Sequence, residues 1–122
     1  MRLVGRVLTR RGRVDFLDGS AEALPVPDGS ATVAWSLACV HHWSDLDAGL
    51  AEARRVLRPG GRFLAMERHT QLGADGLASH GWTDEQATAF AACCQAAGFE
   101  DVVAASHQAG RKPVLTVQAR RP

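Results

Sequence analysis

The 122-residue sequence predicts an α/β fold, and two patterns carry that prediction. The first is a strand, a helix and a second strand in succession, with short connections, between residues 31 and 66. The second is a pair of apolar segments near the C-terminus that read as strands joined by a hairpin loop. The length suits a single domain, since about 100–200 residues per domain is usual. We therefore expect one α/β domain over residues 1–122.

The N-terminal segment is predicted to begin with a helix. Over residues 2–12, leucines and valines fall on one helical face, and Arg2, Arg6 and Arg10 fall on another. Residues 14–18 alternate in part and predict a strand. The prolines and glycines between residues 19 and 29 predict an irregular connection to the next element.

The central strand–helix–strand unit has the strongest pattern. Residues 31–39 are almost wholly apolar, which is typical of a strand buried on both faces of a parallel sheet. Ser44 is placed to cap a helix that stops at Pro59-Gly60-Gly61, and residues 63–66 follow as a second buried strand. Such short connections predict a right-handed unit with parallel strands.

The C-terminal elements follow a predicted loop over residues 69–81. Thr83 and Gln86 form a capping-box pattern, and the helix that they begin is predicted to end at Gly98. Strands are predicted at 102–106 and 114–119, with residues 108–112 as the hairpin loop.

Composition excludes several classes of protein. Fourteen basic residues against thirteen acidic ones give a net charge of only +1, so nucleic acid is not an expected partner. No apolar run approaches the ~20 residues of a membrane span, and Arg6 interrupts any signal-peptide core. Three cysteines form no disulfide framework, and reduced thiols fit a cytoplasmic protein. The absence of Ile, Asn and Tyr, whose codons are AT-rich, indicates a GC-rich bacterial genome.

The residues that could form a functional site follow the carboxyl ends of the predicted parallel strands, where open α/β sheets bind ligands. The densest such segment is 39–43, which holds Cys39, His41 and His42. A zinc site needs further ligands and no second ligand cluster is visible, so we expect no metal. A cysteine–histidine nucleophile has no recognisable orienting partner, and packing with helix capping is the alternative for all three side chains.

Two further kinds of site, a pair of carboxylates and a dinucleotide-binding loop, are judged from the spacing of residues in the sequence. Glu22 and Glu67 are candidate paired carboxylates, but nothing in the sequence determines their separation, and a solvated role is an equal alternative. No Gly-x-Gly occurs, so the sequence holds no dinucleotide fingerprint. Residues alone thus indicate a pocket and a fold class, without a reaction.

Four segments in order resemble the class I S-adenosylmethionine-dependent methyltransferases, in their small-molecule type 11 branch. They are residues 14–30, the His41-His42-Trp43 step, residues 54–62 and the Ala96-Ala97-Gly98-Phe99 turn. The resemblance runs from about residue 1 to the end. It implies a partial Rossmann-like sheet, mostly parallel with a C-terminal antiparallel hairpin, S-adenosylmethionine as cofactor and a small-molecule methyl acceptor.

The resemblance also implies roles for individual residues. The segment matching Gly19, Ser20, Ala21 and Glu22 reaches the adenine, and Ser20 stands where the family usually has an Asp, a stronger acceptor. Ser36 and Leu37 match residues beside the methionine moiety. His41 and His42 match a position that often faces the acceptor pocket, which makes either a candidate base. Helix capping and loop packing are the alternative for these histidines.

The family's first two strands and Gly-rich cofactor loop have no counterpart here, so the resemblance implies a truncated domain. The missing strands would lie between the strand at 14–18 and the strand at 32–38. Val33, Trp35 and Leu37 would then flank an unpaired edge, and we expect a homodimer to close it. The alternative is a five-stranded sheet in which the first strand pairs directly with the central one. Two functions stay open: a methyltransferase, or an inactive remnant that acts as an interaction module.

Overall fold

The computed structural model describes residues 6–9, 12–71, 73 and 80–122. Its strands and helices confirm the α/β class predicted from the sequence. In chain order they are β1 (Arg6–Thr9), β2 (Gly12–Asp15), β3 (Ala31–Leu37), a 3-10 turn (Val40–His42), α1 (Leu46–Val56), β4 (Leu57–Arg68), α2 (Asp84–Ala96), β5 (Glu100–Ala109) and β6 (Lys112–Arg120).

Four strands form the main sheet, in the order β3-β4-β6-β5. β3 and β4 are parallel, as the strand–helix–strand pattern predicted, whereas β6 is antiparallel to both of its neighbours. The sheet is therefore mixed, with one parallel pair, where the resemblance implied a mostly parallel sheet. The C-terminal hairpin is confirmed and is longer than predicted, because only Gly110 and Arg111 separate its strands.

The N-terminal prediction of a helix over residues 2–12 is wrong for the described part of that segment. β1 and β2 form an antiparallel pair in which Val7 lies opposite Val14. β-Branched residues favour the extended backbone, and a helix of about 11 residues is marginal without tertiary support. The strand predicted at 14–18 ends at Asp15. Residues 1–5, 10 and 11 lie outside the described residues.

The β1–β2 pair makes a sheet of its own. In the described residues it does not join the main sheet, so the expected alternative of five strands with the first beside β3 is wrong. β3 is therefore an edge strand of the described sheet, and β4 is its neighbour on one side. The unpaired edge predicted from the sequence is confirmed for these residues.

Helix α1 begins one residue later than predicted. Asp45, not Ser44, is its N-cap, and the Asp45 carboxylate accepts a hydrogen bond from the Ala48 amide at 3.1 Å. The helix ends at Val56, before the Pro59-Gly60-Gly61 stop. The backbone of the two glycines pairs with Arg121, with N···O distances of 2.8 Å, so the stop belongs to β4.

The capping box of α2 is confirmed in both directions. The Thr83 hydroxyl accepts from the Gln86 amide at 3.3 Å, and the Gln86 side chain accepts from the Thr83 amide at 2.9 Å. Each bond satisfies an amide that the first helical turn would otherwise leave without a partner. After the helix, Gly98 adopts a φ of +94°, a conformation that favours glycine and turns the chain toward β5.

Both helices pack on one face of the main sheet, which we call the covered face. Its core unites apolar residues from α1, α2, β4 and β6. Among the buried members are Leu50, Ala53, Phe63, Ala65, Ala87, Phe90, Cys94, Val117 and Ala119. No helix in the described residues is long and apolar enough to span a membrane.

The opposite, open face carries apolar side chains that solvent reaches. Trp35 on β3 is 69% exposed, and Val33 and Leu37 on the same strand are also exposed. By register, Trp35 lies beside Leu64 of β4, whereas Phe63 points to the covered face. An apolar open face on an edge strand is a feature that proteins usually cover.

Candidate functional site

The candidate site lies where β3 and β4 end side by side. Because the two strands are parallel, their carboxyl ends meet at one edge of the sheet, the usual location of ligands in open α/β folds. The 3-10 turn at Val40–His42 follows β3, and Glu67 lies near the end of β4. Two small regions flank this point, one toward the loop before β3 and one toward the histidines.

The first region is a cavity of about 240 Å³ beneath the end of β3, which we call the strand-end cavity. Three of the predicted cofactor residues, Ala21, Ser36 and Leu37, line it together. The rest of its lining is mainly apolar: Leu24, Ala34, Trp35, Cys39, Trp43, Gly49, Ala53 and Phe63. Drug-sized ligands occupy about 300–1,000 Å³, so this cavity suits one part of such a ligand.

Ser36 gives the strand-end cavity a polar atom in need of a partner. Its hydroxyl oxygen is buried and makes no hydrogen bond in the described structure. A buried hydroxyl without a partner costs about 1–3 kcal/mol. A ligand group that hydrogen-bonds with this hydroxyl would remove that cost, so the cavity fits a ligand with a polar group at this point.

Glu22 has a structural role that the sequence did not reveal. One of its carboxylate oxygens accepts hydrogen bonds from the Ser44 and Asp45 amides, at 2.9 and 3.1 Å. The Asp45 amide is the main cause that lowers the pKa of Glu22 below its usual value, and the Ser20 hydroxyl adds to it. The carboxylate thus ties its loop to the start of α1, and it does not pair with Glu67.

The other predicted residues of this loop are placed differently. A Cβ at Gly19 would lie 2.7 Å from the ring of Pro25, so the turn needs glycine there. Ser20 is exposed, and its backbone bridges to Ala23. Neither Gly19 nor Ser20 lines the strand-end cavity, which only Ala21 of the segment 19–22 reaches.

Arg55 and Glu52 of α1 hold the rest of the loop. The Arg55 guanidinium donates to the backbone oxygens of Leu24 and Val26, both at 3.0 Å, and to Asp28 at 2.6 Å. Glu52 accepts from the Leu24 amide at 2.8 Å and from Arg55 Nε at 2.8 Å. These contacts, first the bond with Arg55, lower the pKa of Glu52 to about 2. The loop therefore has a defined path along α1.

The second region is built around Glu67, which is buried to 1% exposure. One of its oxygens accepts from the Val40 amide at 2.8 Å, and the other lies 3.0 Å from His41 Nδ1. A buried carboxyl group needs hydrogen-bond partners, and both oxygens here have one. Glu67 therefore orients the His41 ring and fixes the 3-10 turn that carries it.

His42 and His80 stand beside His41. The ring centroids of His41 and His42 are 3.9 Å apart, and those of His41 and His80 are 5.6 Å apart. All three histidines are exposed, and with Ala38, Glu67 and Arg68 they line a cavity of about 330 Å³. We call this group the histidine cluster.

His80 reaches the cluster because of a glycine. Gly81 has a φ of +138°, and a Cβ there would lie 2.2 Å from the Arg68 carbonyl oxygen. The next residue, Trp82, donates its amide to that same oxygen at 2.8 Å, and its own oxygen accepts from the Thr70 amide. The chain is thus held against the end of β4. His80 was missed in the sequence because no local pattern links it to residues 40–43.

The two regions lie on either side of the end of β3 and differ in their chemistry. The strand-end cavity provides an apolar wall with one unpartnered hydroxyl, and the histidine cluster provides imidazoles held by a buried carboxylate. Imidazoles in that setting accept protons or bind metal ions. The predicted residues Ala21, Ser36 and Leu37 are assembled, as are His41 and His42, while Gly19, Ser20 and Glu22 support the loop.

The chain has relatives in a known protein family. A family model described as a methyltransferase domain matches residues 2–65. The ubiquinone/menaquinone biosynthesis C-methyltransferase UbiE of Methylobacterium nodulans is 52% identical over 59 residues. That alignment covers 46% of this chain and 22% of the relative. The chain therefore matches less than a quarter of that relative's length.

Solved structures give a broader overlap of the fold. A methyltransferase of Thermotoga maritima, described as a possible histamine N-methyltransferase, has a TM-score of 0.68 at 21% identity. The match covers 93% of this chain and 66% of that one. A methyltransferase from Aquifex aeolicus has a TM-score of 0.70 at 16% identity, over 88% of this chain and 55% of that one. At these identities the structures show a shared fold alone.

Proposed function

Because the chain belongs to the methyltransferase domain family, we propose that it takes part in S-adenosylmethionine-dependent methyl transfer to a small molecule. The observation that carries the proposal is the strand-end cavity, where Ala21, Ser36 and Leu37 meet and the Ser36 hydroxyl has no partner. The cofactor, when bound, supplies an electrophilic methyl group on a sulfonium. Such a donor needs an oriented acceptor more than it needs acid–base help.

The residues present fit part of the cofactor. We propose that the Ser36 hydroxyl and the apolar wall from Leu37 contact its methionine portion, and that Ala21 and its loop lie along the adenine. Glu22 is held by two amides of α1, so we assign it to the support of this loop. Ser20 is exposed and offers a hydroxyl where the resembling family has a carboxylate, which predicts a weaker adenine contact.

We assign the acceptor side to the histidine cluster. His41 is oriented by Glu67, which supports a role in holding the acceptor or, while its Nε2 binds no metal ion, in accepting the acceptor's proton through that atom. His42 lies next to it without such a bond in the described residues, so we give it the lesser role. Replacing His41 by Ala should lower methyl transfer more than the same change at His42.

Titration with S-adenosylhomocysteine tests the cofactor proposal. We expect saturable binding by calorimetry, with a change in Trp fluorescence because Trp35 and Trp43 line the cavity. Ser36→Ala should weaken binding by about 5-fold, the worth of one hydrogen bond. Ser106→Ala, at an exposed serine on β5, is the matched control and should bind normally. A folded chain that does not bind at millimolar ligand would overturn the proposal.

We further propose that the chain forms a homodimer through the edge of β3. Support comes from the exposed Val33, Trp35 and Leu37 beside that edge. Both edge strands have a register shift, but β5 carries the charged pair Glu100 and Asp101, whereas β3 carries no charged residue, and charges on an edge strand discourage pairing. The β3 edge is therefore the better candidate for a second copy.

Sedimentation velocity with two matched variants tests the dimer. Val33 and Val103 are equally exposed, at 57% and 56%, and lie on opposite edge strands. We expect a wild-type dimer that Val33→Lys converts to monomer and Val103→Lys leaves intact. A wild-type chain that stays monomeric at high concentration would refute this proposal, as would a dimer lost only in Val103→Lys.

A cytoplasmic location is also proposed. Cys39, Cys93 and Cys94 are all unpaired, which suits a reducing compartment. Cell fractionation followed by thiol labelling would check it, with recovery of an oxidised protein outside the cytoplasm as the contrary result.

A further inference from the structure

The histidine cluster has the composition and spacing of a metal site. His41, His42 and His80 each offer one ring nitrogen, and the three atoms lie within 4.8 Å of one another. His42 and His80 are exposed residues, so their rings can turn toward His41, whose side chain is only 21% exposed and is held by Glu67. Three neutral imidazoles converging on one point are a common way for proteins to bind a transition metal.

We propose that His41, His42 and His80 bind one divalent transition-metal ion, with Zn²⁺ as the ion to test first. Zinc–nitrogen bonds of about 2.0–2.1 Å place tetrahedral ligand atoms about 3.3 Å apart. The three atoms are at most 4.8 Å apart before any ion binds, so they need to close by up to about 1.5 Å. Rotation of the His42 and His80 side chains is sufficient for a movement of that size.

Glu67 supports this inference independently of the spacing. A histidine that binds metal usually donates its other ring N–H to a carboxylate or carbonyl, which orients the ring and selects the tautomer. His41 Nδ1 lies 3.0 Å from a Glu67 oxygen, so its Nε2 is left as the ligand atom. The second Glu67 oxygen is held by the Val40 amide, which makes the carboxylate rigid.

The donor set defines the class of ion. Imidazole nitrogen suits zinc, copper, nickel and iron, whereas magnesium and calcium require several oxygen ligands. Both oxygens of Glu67 are already engaged by His41 and Val40, so no carboxylate joins the cluster among the described residues. With three protein ligands, a four-coordinate ion keeps one position for water or a substrate atom.

The open coordination position would let the ion bind an oxygen atom of the methyl acceptor. An acceptor oxygen bound to a divalent cation loses its proton more readily and is held in place. Arg68 lines the same cavity, and its charge would favour an acceptor that carries an oxyanion. This use of the ion rests on the proposed function, but binding of the ion does not, because the metal alone is the ligand measured.

The test is a calorimetric titration of the chelator-treated 122-residue chain with Zn²⁺ alone. We expect one ion per chain. His80→Ala should weaken binding at least 10-fold, and the double variant His42→Ala/His80→Ala should abolish it, since each removes a ligand. Circular dichroism checks that the variants fold, and failure of S-adenosylhomocysteine binding has no influence on the result.

Three further variants separate this site from adventitious binding. Glu67→Gln can keep the bond from Val40 only by facing its amide N–H₂ to His41, and should weaken binding by about 10–100-fold. His107→Ala, at an exposed histidine on β5, should bind normally, as should Cys39→Ser. Co²⁺ should give a tetrahedral spectrum without a thiolate band.

The proposal is overturned by any of three outcomes. One is the absence of saturable binding up to about 1 mM Zn²⁺, a concentration at which a site with a millimolar dissociation constant is half occupied. Another is binding that survives in His42→Ala/His80→Ala. The third is loss of binding in His107→Ala or Cys39→Ser, which would place the ion elsewhere.

Discussion

The two faces of the main sheet come from neighbouring residues of the same strands, yet they have opposite environments. Phe63 on the covered face is 2% exposed, while Trp35, on the strand beside it but directed to the open face, is 69% exposed. Both are large aromatic residues in apolar runs, 31–39 and 63–66. An apolar strand predicts that both of its faces need to be buried. The packing of the helices decides which face is actually buried.

The largest expected contrast is between Phe63→Ala and Trp35→Ala. Removing the buried Phe63 ring should lower the free energy of unfolding by about 3–5 kcal/mol, because it leaves a cavity under both helices. In the monomer, Trp35→Ala should change it by about 0.5 kcal/mol or less. Urea denaturation at low protein concentration measures the free energy of unfolding of both variants. A loss of stability in Trp35→Ala that grows with protein concentration would show that a second copy covers the open face.

A second contrast concerns polar groups. Glu67→Leu should lower the free energy of unfolding by about 1–3 kcal/mol, because the Val40 amide loses its acceptor inside the protein. Gln118→Leu, at an exposed position of β6, should be nearly neutral. Thermal unfolding of both variants provides the comparison. Equal effects would mean that the bond between Glu67 and Val40 contributes little.

Removing an unpartnered hydroxyl should have a smaller effect of the opposite sign. Thr116 and Ser36 each have a buried hydroxyl without a hydrogen bond in the described structure. Thr116→Val and Ser36→Ala should therefore each raise the free energy of unfolding by about 1 kcal/mol. Only Ser36→Ala should also weaken binding of S-adenosylhomocysteine. If Ser36→Ala destabilised the chain, its hydroxyl would have a partner in the unliganded protein.

The smallest effect is expected where Glu52 and Arg55 of α1 hold the loop. The pKa of Glu52 falls from 4.5 to about 2 on folding, so its stabilising contribution is complete above pH 4.5 and is lost as the pH falls toward 2. Wild type should unfold at a higher temperature than Glu52→Gln at neutral pH, and the difference should shrink through pH 4 and vanish below pH 2. A pH-independent difference would contradict the link with ionisation.

Local sequence patterns predicted most of the fold from β3 onward. Thr83 and Gln86 form the capping box expected from their spacing, and the apolar run 31–39 contains β3. These features depend on contacts within a few residues, which a pattern records. At the N-terminus the helical face of residues 2–12 misled the prediction, because Val7 and Val14 also suit strands and only their pairing decides.

Part of the candidate site was predicted because its residues are close together in the sequence. Ser36, Leu37, His41 and His42 follow directly from the end of β3, so position in the chain located them. Glu22 was expected at a ligand, but the amides of Ser44 and Asp45, which no spacing rule brings near it, hold its carboxylate. His80 enters the cluster through the Gly81 contact with Arg68, a pairing across the fold that leaves no local signal.

The sequence by itself determined the α/β class, the strand–helix–strand unit, the C-terminal hairpin and the likeness to a methyltransferase domain. Each of these depends on apolar periodicity, caps and turns, which act over short distances along the chain. The tertiary structure alone decided that one face of the sheet stays open, that Glu67 orients His41, and that His80 completes a group of three imidazoles. Those features join residues distant in sequence, and their energies arise only when the chain is packed.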